Sequence, residues 1–141
     1  MKIQQLKLTN FRKFASAEYQ FNTISGVTVL IGNNATGKST ILDALSIMMG
    51  SYLLDFNVGP LRSIRKNEIH LAQITVDEVA TLEPQWPEGV TLSCIGSLSD
   101  LDANLDAPIS WTRELKSETG NTTRIFAKNI ASAGKVAMAK M

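Results

Sequence analysis

The chain has 141 residues, of which 44% are apolar and 19% charged, with a formal net charge of +1. That length suits one domain with its own core, and the composition excludes a disordered tail. The lone Cys94 excludes an internal disulfide and fits a reducing compartment, and the balanced charge offers no electrostatic argument for a nucleic-acid surface. The start, MKIQQLKLTNFRKF, carries no apolar leader, and no run is long enough to span a bilayer, so a cytoplasmic protein without a membrane partner is expected.

In chain order, Met1 to Thr9 places Ile3, Leu6 and Leu8 in a strand-like segment. Asn10-Phe11-Arg12-Lys13-Phe14 then makes a turn, and Ala15 to Phe21 reads as a second strand with Tyr19 and Phe21 on one face. These two strands are expected to be antiparallel. Residues 22–26 turn into the run Val27-Thr28-Val29-Leu30-Ile31, which is apolar and β-branched, as a buried strand should be.

The stretch that follows, Gly32 to Thr40, reads GNNATGKST and fits G-x-x-x-x-G-K-[ST] with Gly32, Gly37, Lys38 and Ser39 in register. Ile41 to Met49 then carries apolar residues on most sides of a helix, which argues for burial, and Gly50 is placed to stop it. Strand, glycine loop and helix together are the context of a phosphate-binding loop. The chemistry explains the spelling. A triphosphate needs donors around it, and a loop wrapped into a nest offers backbone N–H groups across Asn33, Asn34, Ala35, Thr36, Gly37, Lys38, Ser39 and Thr40. The helix points its partly positive N-terminus at the anion. Lys38 is expected to touch the β- and γ-phosphates, and the Ser39 hydroxyl to ligate Mg²⁺. ATP and Mg²⁺ are the expected cofactors.

After the helix, residues 51–56 extend it or cover its end, and Asn57-Val58-Gly59-Pro60 breaks the element. Arg62, Arg65 and Lys66 follow and read as a solvated basic loop. Ile74-Thr75-Val76-Asp77-Glu78 resembles a strand ending in a catalytic acid pair, but Gln73 and Thr75 interrupt the apolar run, so an edge strand or short helix is expected. Residues 89–97 and 109–115 alternate well and predict paired strands around an acidic loop. Asp100, Asp102 and Asn104 open that loop like a calcium site, yet Leu105 and Trp111 stand where the glycine and the last glutamate belong, so calcium is rejected. Thr122 or Thr123 can cap a last helix whose apolar stripe is Phe126, Ile130, Ala133 and Ala137. His70 stands alone and reads as structural.

Several P-loop classes share the loop, so the flanks decide. The base-reading NKxD and the DxxG of GTPases are absent from the sequence, and small-molecule kinases usually begin directly with the loop strand. The pattern of a strand, Asn10-Phe11-Arg12-Lys13-Phe14, a second strand, and then Gly32 to Ala44 resembles the N-terminal lobe of ABC-type ATPase heads of the SMC/RecF/OLD group. Residues 84–115 are more loosely similar to RecF-like ATPases of bacterial defence and virulence loci.

The resemblance implies an α/β P-loop NTPase lobe, a mixed sheet with an antiparallel β-subdomain, and Arg12 near the phosphates. It also implies ATP held between two heads of a homodimer, with DNA or a nuclease effector as partner. The signature motif and the acid-bearing strand of such ATPases are not in this sequence. Residues 1–141 are therefore expected to be a single ATP-binding lobe of a longer ATPase that binds nucleotide without turning it over alone. A non-hydrolysing nucleotide sensor and a P-loop kinase of unusual N-terminus are the alternatives.

Overall fold

Alternation near the start of the chain decides which face of the first strand is buried. Leu6 and Leu8 point inward, and Asn10, at φ 60°, breaks the alternation so that Asn10 and Phe11 are both buried. In the computed structural model, which describes residues 1–21, 24, 26–33, 36–98 and 107–139, this strand is β1 (Lys2–Phe11). It pairs antiparallel with β2 (Phe14–Gln20), as expected. The remaining elements are α1 (Lys38–Gly50), β3 (Leu71–Val76), β4 (Val79–Pro84), β5 (Val90–Ser97), β6 (Ile109–Leu115) and α2 (Lys128–Ala139).

One sheet runs β2-β1-β5-β6 and a second is the hairpin β3-β4; among the described residues every pairing is antiparallel. Register explains the core. Leu6 lies opposite Cys94, which lies opposite Trp111; Leu8, Leu92 and Arg113 form the next row, and Val90 faces Leu115. Against these rows α1 lays Ile41, Ala44, Ile47 and Met48, all buried. The Trp111 indole donates from Nε1 to the Met48 carbonyl at 2.9 Å, so the ring packs in the core and ties down the end of the helix. Cys94 is buried in the same layer, and desolvation pushes its thiol up to about 12, which leaves it unreactive.

Several expectations need correction. Residues 27–33 belong to no strand, and Val27, Val29 and Ile31 are 66%, 70% and 90% exposed. A strand of that composition is buried only when sheet and helices cover both faces, and α1 instead turns its packed face to the antiparallel sheet. The helix is therefore buried on one side, with Leu42 and Met49 exposed on another. Gly50 does not stop it by a left-handed turn: its φ is −60°, and the chain continues into a 3-10 turn at Ser51–Leu53.

Thr122 and Thr123 do not cap the last helix. The Thr122 hydroxyl accepts from the Ile64 amide at 3.0 Å, and that of Thr123 from the Glu114 amide at 3.0 Å, stitching the segment before α2 to the body. A 3-10 turn at Ile125–Ala127 intervenes, which rotates the buried stripe to Ala127, Ile130, Ala131, Gly134 and Ala137 and leaves Phe126 exposed. The segment 74–78 is an edge strand and turn. Asp77 and Glu78 join β3 to β4 with φ values of 52° and 65°, exposed, as a two-residue hairpin requires. The rejected calcium loop lies outside the described residues.

Candidate nucleotide site

Helix α1 begins at Lys38, directly after Gly37, whose φ of 93° a side chain would resist. Space makes the same demand. A Cβ on Gly37 would sit 2.6 Å from the Phe14 ring, because the β1–β2 hairpin docks on the start of the helix. The two sequence signatures, Asn-Phe-Arg-Lys-Phe and Gly-Lys-Ser-Thr, are thus in physical contact. The first-turn amides of α1 receive no side-chain cap, and no acidic residue sits in that turn. An uncapped helix start offers its N–H groups and its partial positive charge to an anion.

The loop is closed by its own side chains. The Lys38 ammonium donates to the Gly32 carbonyl, across the loop it terminates. Thr36 donates to the Asn33 carbonyl through both its hydroxyl, at 2.7 Å, and its amide, at 3.2 Å. Ser39 is exposed on the first turn, whereas Thr40 is 5% exposed and helps seat the helix. Asn33 is exposed beside them; Asn34 and Ala35 lie outside the described residues.

Arg12 is brought to the same place from a distant part of the chain. Its guanidinium pairs with Asp43 at 2.6 Å and with Glu68 at 2.9 Å. Asp43 falls four residues after Ser39, hence on the same face of α1, so Arg12 stands on the side of the helix that carries Ser39. Arg12 adopts φ 50°, uncommon for a residue with a side chain, and its amide bonds to the Glu68 carbonyl at 2.6 Å. The neighbouring residues share the task of holding this corner. Asn10 donates to the Gln85 and Gly89 carbonyls at 3.0 and 2.8 Å, and His70 Nδ1 lies 2.7 Å from the Arg12 carbonyl. His70 is thus structural, as its isolation suggested.

Sequence reasoning missed Glu68. It is 4% exposed and takes bonds from Arg12, from Arg62 at 2.7 and 2.6 Å, and from the Arg65 amide at 2.9 Å. Burial by itself would raise its carboxyl, but the bonds from Arg62 and the Arg65 amide, with the Arg62 charge, outweigh that and hold it below its ordinary value. The expected solvated basic loop is therefore wrong for Arg62, which is bound to a buried acid, and right for Arg65 and Lys66, which are exposed. The available signal was one acid directly after three cations. Beside this cluster, a concavity of about 490 Å³ is lined by Arg12, Lys13, Arg65, Asn67 and His70 among others.

The residues present fit a nucleotide phosphate: a closed glycine loop, an uncapped helix N-terminus, an ammonium at its edge and a guanidinium on the adjoining face. The exposed Ser39 hydroxyl on the first turn of α1, next to this anion site, also fits a ligand that Mg²⁺ takes alongside phosphate oxygens. No described helix is long and apolar enough to cross a membrane.

Comparison with known proteins agrees with this geometry. Residues 1–92 match the model of the AAA ATPase domain family. The chain is 35% identical over 75 residues to the DNA replication and repair protein RecF of Acaryochloris marina, covering 53% of this chain and 19% of that one. It is 45% identical over 47 residues to the DNA double-strand break repair Rad50 ATPase of Thermococcus kodakarensis, covering 33% of this chain and 5% of that one. The matched region thus spans less than a fifth of the length of these curated relatives. Among solved structures, one concerned with ATP-driven dimerization and DNA stimulated activation of SMC ATPases superposes with a TM-score of 0.60 at 19% identity, covering 98% of this chain and 80% of the other. The family match and the shared fold lead to one conclusion: the chain belongs to the AAA ATPase domain family, as an SMC/RecF-like N-terminal lobe of the P-loop NTPase fold.

Proposed function

We propose that this chain is the ATP- and Mg²⁺-binding lobe of a longer SMC/RecF-like ATPase, whose nucleotide cycle drives a DNA-related or defence effector. The observation that carries the reading is the loop closed by Lys38 and Gly32 at the uncapped start of α1. Family membership favours an ATPase over the kinase alternative. In this reading the loop amides and Lys38 hold the β- and γ-phosphates, and Ser39 supplies a hydroxyl to the metal. Arg12, oriented by Asp43 and Glu68, adds a guanidinium to the anionic side of the site. Bound Mg²⁺ supplies charge neutralisation at the phosphates.

No catalytic residue is assigned to this chain. The one acid pair considered, Asp77 and Glu78, forms the exposed turn of the β3–β4 hairpin. Water activation is assigned to an acid pair on a later strand of the longer ATPase, and capping of the γ-phosphate to a second head in a homodimer, a reading supported by the SMC-like fold. The lobe alone is therefore expected to bind ATP and release phosphate at background rate, in a cytoplasmic setting.

Calorimetric titration with ATP and Mg²⁺ tests the assignment. Lys38→Ala should weaken binding by about 2–4 kcal/mol while leaving the fold intact, because its side chain bonds within the loop and not in the core. Equal affinity in the variant would overturn the site. Ser39→Ala should lower affinity with Mg²⁺ far more than with a chelator present.

A further inference from the structure

Away from the phosphate loop, a concavity of about 330 Å³ opens between the loop after α1 and the segment preceding α2. Its lining includes three arginines, Arg62, Arg113 and Arg124, with the polar Ser63 and Asn121, and among the described residues no carboxylate. Arg62 has a counter-ion in Glu68. The other two have none among the described residues.

Arg113 is the unusual one. It occupies the inward row of the sheet with Leu8 and Leu92, where an apolar residue is the rule, and it is 4% exposed. Its bonds go to neutral acceptors: Nε to the Thr123 carbonyl at 2.6 Å and Nη1 to the Ser51 hydroxyl at 3.2 Å. Burial lowers its pKa, and the Arg124 charge lowers it further, yet arginine stays protonated in proteins. A buried cation that meets only neutral partners, with a second cation beside it, is an expensive arrangement. Arg124, by contrast, is exposed and anchored through one bond to the Leu54 carbonyl. One fixed guanidinium and one exposed one, opening on a common cavity, match a tetrahedral oxyanion, which takes paired N–H donors from each fork.

We propose that this cavity is a second phosphate-binding site, separate from the phosphate loop, in which Arg113 is the buried anchor and Arg124 the accessible arm. The ligand is a phosphate group, either of a free phosphate compound or of a nucleic-acid backbone. Its binding relieves the repulsion between the two guanidinium groups and braces the α1–β6–α2 junction, where Ser51 and Thr123 meet Arg113.

The test is the thermal midpoint of the 141-residue chain with inorganic pyrophosphate, in chelator and at ionic strength matched with sodium chloride. Because pyrophosphate also suits the phosphate loop, the variants are compared in a Lys38→Ala background, where pyrophosphate at about ten times its Kd should raise the midpoint by about 3–5 °C. The rise should vanish in Arg124→Gln, a surface change that leaves the core untouched. Arg113→Lys, which keeps the charge but loses the fork, should show at most a weakened rise. In that background, no rise with Arg124 in place, or an undiminished rise in Arg124→Gln, would each overturn the proposal. A single-stranded oligonucleotide without terminal phosphates separates the two sources. An Arg124-dependent rise with it identifies a backbone phosphate, and a rise confined to pyrophosphate identifies a free phosphate compound.

Discussion

The two sides of this molecule contrast sharply. On one side the four-stranded sheet, α1 and α2 enclose Trp111, Phe11, Leu6, Leu8, Ile47 and Met48 at 1% exposure or less. Among its buried polar residues, Asn10, Glu68 and Arg113 are each bonded. On the other side, residues 27–31, as apolar as any strand in the chain, expose Val27, Val29 and Ile31. They adjoin a cleft of about 290 Å³ lined by Met1, Ile3, Phe21, Leu30, Leu42 and Met49. Hydrophobicity sets how much a segment gains from burial, but a partner surface decides whether it is buried. The antiparallel side holds the fold together. The loop side carries the proposed phosphate site and exposes its apolar residues.

The contrast should be broken most severely at Trp111. Trp111→Ala removes the largest buried side chain and leaves the Met48 carbonyl without its donor, so urea unfolding should show a loss of about 3–5 kcal/mol. A loss below about 1 kcal/mol would mean that the antiparallel side is not the stabilising half.

Next comes the corner that joins the two sides. Glu68→Gln leaves Arg12 and Arg62 without their shared charge partner and should cost about 2–4 kcal/mol at neutral pH, discounted because those arginines are 31% and 19% exposed. The folded-state pKa of Glu68 is depressed, so its contribution is complete above the ordinary carboxylate range and fades as pH falls through the lower folded value. The gap between wild type and variant should therefore narrow as pH falls below the ordinary carboxylate range. A gap that is independent of pH would show that Glu68 acts by packing, not charge.

The smallest effect should lie on the loop side. Ile31→Thr alters a residue 90% exposed and should shift stability by no more than about 0.5 kcal/mol. A shift of about 2 kcal/mol or more would place Ile31 in a core and erase the contrast.

The antiparallel strands β1, β2, β5 and β6 and the glycine turn into α1 were legible because their signals are local. Gly37, Lys38 and Ser39 are read from spacing, and the antiparallel strands from alternation at Leu6, Leu8, Val90, Leu92 and Cys94. Helix α1 was legible for the same reason, although it starts at Lys38, three residues before the apolar run that announced it. The stripe of α2 was read correctly at Ile130, Ala133 and Ala137 but not at Phe126, since the 3-10 turn at Ile125–Ala127 changes the rotation per residue and places Ala127 inward instead.

By itself, then, the sequence determined the glycine turn into α1 and the local strand pairs β1–β2 and β5–β6, because each depends on residues near one another in the chain, whereas the central pairing of β1 with β5 was left to the tertiary structure. Only the tertiary structure decided that Arg12 meets Asp43 and Glu68, that Phe14 closes on Gly37, that Arg113 takes an inward place in the sheet, and that residues 27–31 stay uncovered. Burial and pairing of charge depend on which surfaces meet, and those surfaces come from segments tens of residues apart.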